Sequence, residues 1–417
     1  MVGTPITTSL DAARRLAVVK QHLAGKPPAR VTGKSIVDLV RDLGYVQWDP
    51  ISVVAPSHLL SLRSRLGNFD PAILEGLLWD EKKLFEHWTP IASLVLTEDY
   101  PLYYSLMQRY PESMSPSWGS QGSRAAKFLR DHAELKKRVL KELRKGPQTL
   151  GSFTEHSHTK RNIGEWNPTS DVSHLLYHLT MSGDVMVVGH EGKQNLWGLA
   201  KDFLPSWAKR EMLSESEVEE VSAERAVLAQ GIATPREILF YFVRGRYKAL
   251  DRTLQRLEDQ SKIERIQVDG LEDRKVRYIH RQDLPLLDSL REGKGWQPRV
   301  SLLPPFDNLV GNQDRLHRLF GFDYVREQFF PPEKRRFGFY VLPVLRGERF
   351  IGRIDPRLDK GSNTLVVNSV HAEAGAPMDR SVGSEIHDAI ADLADFVGAS
   401  RVKYTSKFPS PWKGLLN

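Results

Sequence analysis

The sequence predicts an α+β protein: three helical modules in tandem, each closed by a two-stranded ribbon, then a small β-barrel-like domain. Three observations carry this. At 417 residues the chain exceeds what one hydrophobic core organises. An order of helix, turn, helix and ribbon recurs along it. After Trp296 the texture changes to short strand-like pieces separated by charged and glycine-containing turns.

In the first module, Ser9 opens a helical pattern with Leu10, Ala13, Leu16, Ala17 and Leu23 on one face. Ser35 to Leu43 is a second helix, stopped by Gly44. Tyr45 to Ile51 is a brief strand that enters a turn at Pro50. Pro56 to Leu66 and Pro71 to Trp79 are helical, and Leu84 to Trp88 with Ile91 to Leu96 form a ribbon. In the second module a basic helix covers Glu134 to Arg144, and Gly146 to Thr149 turns into another helix. Ser170 caps a helix reaching Met181, and Asp184 to Val188 pairs with Asn195 to Leu199. The third module repeats this between Val221 and His280: a helix, a turn at 231–234, a second helix, a longer one from Tyr247 to Gln260, and strands Lys262 to Val268 and Arg274 to His280.

Two helices followed by a two-stranded wing is the layout of a winged helix. The expected division is 1–115, 124–205 and 214–290 for the three modules and 296–417 for the last domain. That domain has strands at Phe337 to Leu345, Glu348 to Ile354, Asn363 to Asn368 and Arg401 to Thr405, and a helix over Ser381 to Phe396. They suit a partly closed barrel.

Composition narrows the function. With no cysteine, disulfides, thiolate nucleophiles and cysteine-held metals are excluded. The longest apolar runs, such as Ile91 to Leu96, are far shorter than the ~20 residues of a membrane helix. No secretion signal is expected at the start of the chain, and the expected location is the cytoplasm, at the nucleoid. Net charge is +7. Nine basic and three acidic residues fall between Arg124 and Lys145, which suits a phosphate-backbone partner. No Walker loop, Gly-x-Gly-x-x-Gly run or Gly-x-Ser-x-Gly elbow is present, and no cofactor is expected.

The chemistry-bearing candidates are Gln47 and Asp49. Two apart on a strand, they would share one face, with Trp48 directed into the core. The carboxylate would stabilise an oxocarbenium-like transition state and take a proton from water, while the amide orients that water. The alternative is that Asp49, before Pro50, caps a turn. Candidate DNA contacts are Lys334, Arg335 and Arg336 on a compact turn, Arg63 and Arg65 after the Gln47/Asp49 strand, and with them His58 and Arg353. His156 with His158, and His174 with His178, have spacings a metal could use, but each pair is more economically read as packing.

At these residues the sequence resembles the bacterial winged-helix DNA glycosylases that open interstrand crosslinks, the YcaQ/AlkZ-like family. The resemblance is carried by Leu302 to Val310, Arg315, Leu319 to Tyr324, Pro332, Lys334-Arg335, Gly338 to Pro343 and Arg349 to Asp355. Gly44 to Ser52 resembles the family's Gln-x-Asp motif, and Phe85 to Trp88 and Glu98 to Pro101 match further segments. The resemblance implies winged helices and a barrel around a cleft for duplex DNA, with catalysis at Gln47 and Asp49. It implies the branch that acts on N7-alkylguanine and mustard-type crosslinks rather than the Gln-x-Gln branch that protects natural-product producers. One departure stands out: Thr89-Pro90 follows Trp88 where relatives lead one to expect a histidine. The expected partner is double-stranded DNA with alkylated or crosslinked guanine, bound by a monomer. The competing readings are a winged-helix regulator without enzymatic activity and a scaffold or ligand-binding protein whose basic face is incidental.

Overall fold

The computed structural model describes residues 6–407 except 50, 90, 116–118, 156–167, 193 and 274, and also residues 409 and 412. The chain forms two compact units: Met1–Leu74 with Ala223–Ile238 and Leu254–Asn417, and Glu75–Ser222 with Leu239–Thr253. The boundary at Leu74 falls inside the segment expected as the first module, for a packing reason. The helix Leu10–Lys20, capped by Ser9, buries Ala12, Ala13, Leu16 and Ala17 in a core shared with Ile266, Leu287, Leu316, Val341 and Phe350.

In the first unit, Ile6–Ser9 pairs in parallel with Ile263–Asp269, which pairs antiparallel with Tyr278–His280, which pairs with Ile232–Ala233. The third ribbon is therefore present, with a second strand shorter than expected and an unanticipated N-terminal strand on its outer edge. The helix Gly33–Leu43 starts in a capping box between Thr32 and Ser35 and stops at Gly44, whose φ of +79° needs glycine. Thr234 and Glu237 box the start of the helix Pro235–Tyr241 in the same way.

The C-terminal part corrects one expectation. Val300–Leu302, Leu342–Arg346, Arg349–Asp359 and Thr364–Ala372 form an antiparallel run, and Arg401–Lys407 joins in parallel beside Thr364–Ala372. This is an open five-stranded sheet, not a barrel, because Val300–Leu302 and Arg401–Lys407 each have one neighbour. A parallel last strand needs a crossover. The helix Arg380–Phe396 supplies it, burying Val382, Ile386, Ile390 and Leu393 with Leu302, Leu342, Ile351, Leu365 and Val367.

In the second unit, Leu84–Trp88 pairs with Ala92–Leu96, from Leu84 opposite Leu96 to Trp88 opposite Ala92. The helices Gln121–Asp131, Ala133–Leu143, Leu150–Glu155 and Pro168–Met181 precede a ribbon of Val185–Glu191 and Gln194–Leu199. Leu135, Val139, Leu143, Leu175, Leu176, Leu179 and Val185 make its core. Two boundaries moved. The helix expected to be capped by Ser170 starts at Pro168, which suits a first helical turn. The single helix expected over Pro71 to Trp79 is a short α-turn, Ala72–Glu75, continued by a π-turn, Gly76–Asp80.

Candidate active site

Gly44 sends the chain into Val46–Gln47, whose first residue is buried and whose second is half-buried. The strand stops there, so pleat alternation reaches Gln47 and not Asp49. Trp48 is half-buried rather than in the core, and it stacks on the buried His58 ring with centroids 3.9 Å apart. Asp49 Oδ1 accepts the Ile51 amide at 2.8 Å, so the turn-capping reading is realised. No described residue donates a hydrogen bond to its Oδ2 or bonds the Gln47 side-chain amide. One oxygen fixes the carboxyl group and the other remains for a ligand.

Burial raises the Asp49 pKa above the ordinary carboxylate value, while the Ile51 amide and the Arg326 charge oppose the rise. Arg326 was not anticipated from sequence. Its Nε donates to Pro305 O at 3.2 Å, its Nη2 donates to Gly311 O at 3.0 Å, and it lies over the Phe306 ring at 5.2 Å. Asn308 in the same loop donates to Tyr45 O at 2.9 Å, tying the loop to the strand that leads to Asp49. The signal was present in the Leu302 to Val310 run, which carries this loop. Tyr340 faces the Ser57 hydroxyl, and burial first and then the Asp49 charge raise its pKa, so it stays a neutral phenol. The site thus combines a half-buried carboxylate, the Arg326 charge that acts on it and the neutral, buried Tyr340 phenol. It can stabilise positive charge at a sugar carbon and accept a proton.

The candidate DNA contacts separate by burial. Arg65 is locked against Asp307 by bonds of 2.5 and 3.0 Å, with both side chains inaccessible. Arg63 is buried, bonds Asn68 and lies over the Phe396 ring. Arg353 is buried between the Phe322 and Phe337 rings and paired with Glu373. His58 is buried under Trp48. The guanidinium groups of Arg65, Arg63 and Arg353 are committed inside the first unit and His58 is buried under Trp48, so none of the four lies open at the surface. Lys334 and Arg336 are exposed and Arg335 is half-exposed. The exposed rings of Phe329, Phe330 and Phe339 accompany them.

A match to the family described as DNA glycosylase AlkZ-like spans residues 40–396. The chain belongs to the AlkZ-like DNA glycosylase family. It is therefore a DNA-repair hydrolase of N-glycosyl bonds, which decides against the regulator and scaffold readings. The fold is similar to that of the Streptomyces sahachiroi DNA glycosylase AlkZ, with a TM-score of 0.66 at 19% identity over 97% of this chain and 100% of that one.

Other shifted groups of this AlkZ-like chain lie in the second unit. Burial, then Glu75, pushes Glu86 up to about 8, and its carboxyl lies 3.2 Å from His190 Nε2. Burial, then Arg246, pushes His87 down to about 3. Both are neutral interior groups at pH 7. His178 meets the Tyr110 hydroxyl, and exposed His174 lies edge-on to Phe128. No cluster of three metal-ligating side chains occurs among the described residues, and His156 and His158 lie outside them. No helix among the described residues is long and apolar enough to cross a membrane.

Proposed function

We propose that the chain hydrolyses the N-glycosidic bond of N7-alkylguanine in double-stranded DNA and unhooks interstrand crosslinks through that base, with Gln47 and Asp49 as the catalytic pair. The observation that carries this reading is the carboxylate at Asp49, half-buried, held by one oxygen and opposed by Arg326. An N7-alkylated guanine is already cationic, so it leaves without a strong general acid. The bond from C1′ to N9 breaks and its electron pair neutralises the purine. Water, oriented by Gln47, adds to C1′ and gives its proton to Asp49, leaving neutral alkylguanine and an abasic sugar. Aspartate at the second motif position supports assignment to the Gln-x-Asp branch. Membership of the family described as DNA glycosylase AlkZ-like supports DNA as the substrate.

The helix, turn, helix and ribbon order of 124–205 and 214–290 supports reading them as winged-helix modules, with 1–115 as a modified one carrying the catalytic pair and 296–417 as a sheet region that shares its core with the helix Leu10–Lys20. We read the protein as a monomer at the bacterial nucleoid. The direct test is release of base from a duplex with one N7-methylguanine and strand separation of the same duplex crosslinked by a nitrogen mustard. Release from both is expected. Tight binding with release from neither would overturn the substrate assignment.

The basic turn is the proposed backbone clamp. Lys334→Ala with Arg335→Ala should weaken binding to all sequences alike and flatten the dependence of log affinity on log salt by about one to two phosphate contacts. Titration by fluorescence anisotropy at several salt concentrations checks this, and an unchanged slope would remove the turn from the interface.

A further inference from the structure

We propose that Trp88, Tyr177 and Arg244 form a stacking platform for an unstacked DNA base. Trp88 ends the strand Leu84–Trp88 and is 42% exposed. A single exposed apolar side chain is ordinary. This one is distinguished by how firmly it is held. The next residue, Thr89, is buried and donates from Oγ1 to Phe242 O at 2.8 Å. The indole is braced edge-on by the Tyr177 ring, with centroids 5.4 Å apart at 88°. An edge-on contact sets the edge of one ring against the face of the other and holds both in place.

The same bond from Thr89 brings the 242–246 segment beside the strand end. In it Arg244 is exposed, with a left-handed φ of +47° that turns the chain sharply ahead of Gly245. Arg244 and the buried Arg246 both act electrostatically on the half-exposed Tyr177 hydroxyl. Behind Tyr177 the rings continue inward through His178 at 5.4 Å and Phe128 at 5.1 Å from His178, which stiffens the brace.

A braced, part-exposed indole in the same unit as the exposed Arg244 fits a polyanion that offers an aromatic face. DNA offers one only where a base has left the stack. An enzyme that removes a base creates that condition, because the opposite base loses its partner. Stacking on Trp88 would hold such a base, while Arg244 takes an adjacent phosphate. Trp88 is thus a binding residue and not a catalytic one.

Two 20-mer duplexes identical but for one unpaired, bulged nucleotide test this with the full chain by fluorescence anisotropy. The wild type should prefer the bulged duplex. Trp88→Ala should lower affinity for it by about 5- to 150-fold, the worth of one stacked base, and leave the paired duplex unchanged. Trp88→Phe should retain most of the preference, and Arg244→Ala should weaken both duplexes with a shallower salt slope. Equal affinity of wild type and Trp88→Ala for the bulged duplex would overturn the proposal. So would an equal loss on both duplexes that Trp88→Phe does not rescue. Base excision is not read in this assay, so its result is independent of the catalytic assignment.

Discussion

Asp49→Asn is expected to leave DNA bound while base release falls by about 10²- to 10⁴-fold, the range ascribed to a positioned proton acceptor. The substitution keeps the side chain's shape and its Oδ1, which accepts from Ile51, so the turn survives. It removes the charge that stabilises the oxocarbenium-like centre and the oxygen that takes water's proton. Single-turnover release from the N7-methylguanine duplex, beside binding of the same duplex, reads the two effects apart. Release within about threefold of wild type would exclude Asp49 from the chemistry.

The same residue fixes the acid limb of the pH profile. Burial raises the Asp49 pKa, so the working carboxylate is lost as pH falls through a value above that of a free aspartate. Arg326 opposes this rise. Arg326→Gln withdraws the opposing charge and should move the limb to still higher pH, with activity recovered as pH increases. A substitution that merely disturbed the fold would lower the whole profile without displacing it.

Much of the fold is legible because helix signals are local. Ser9, Thr32 with Ser35, and Gly44 sit where caps and stops belong, and the helices follow. The strand Ile6–Ser9 is not legible. It is four residues long, mostly polar, and its partner Ile263–Asp269 lies about 260 residues further along the sequence (Ile6 pairs with Ile266). The open edge of the last sheet was hidden for a related reason: strand count and alternation look alike in a barrel and in an open sheet, and only the lack of pairing between Val300–Leu302 and Arg401–Lys407 among the described residues separates them. At the site, the shared-face reading of Gln47 and Asp49 does not hold, since the strand ends at Gln47 and Asp49 is set by an Asx turn and not by a pleat. Arg326 was missed because its relation to Asp49 exists only once the 305–311 loop is folded against Tyr45.

The arginines show the limit most clearly, and Arg65 allows the sharpest test. By residue type it is indistinguishable from Lys334, yet its guanidinium donates to both oxygens of Asp307, to Gln21 Oε1 and to Ser61 O inside the first unit. Asp307 also accepts the Leu309 amide at 2.9 Å, so the pair fixes the loop that holds Arg326. Removing one partner leaves the other charged, buried and unmatched. Asp307→Ala should therefore cost about 3–5 kcal/mol of stability and lower Tm by on the order of 10 °C. Replacing both partners, as Arg65→Met with Asp307→Leu, should recover most of that loss, because the penalty comes from the uncompensated charge and not from the missing attraction. A phosphate contact predicts the opposite pattern: Arg65→Ala would weaken DNA binding at unchanged Tm. Thermal melts of the three variants beside their DNA titrations separate the two roles, and a stable Asp307→Ala would show that the pair holds nothing together. Because this loop also carries Arg326 to Asp49, the double variant should melt near wild type and still shift the acid limb of the pH profile if the loop relaxes.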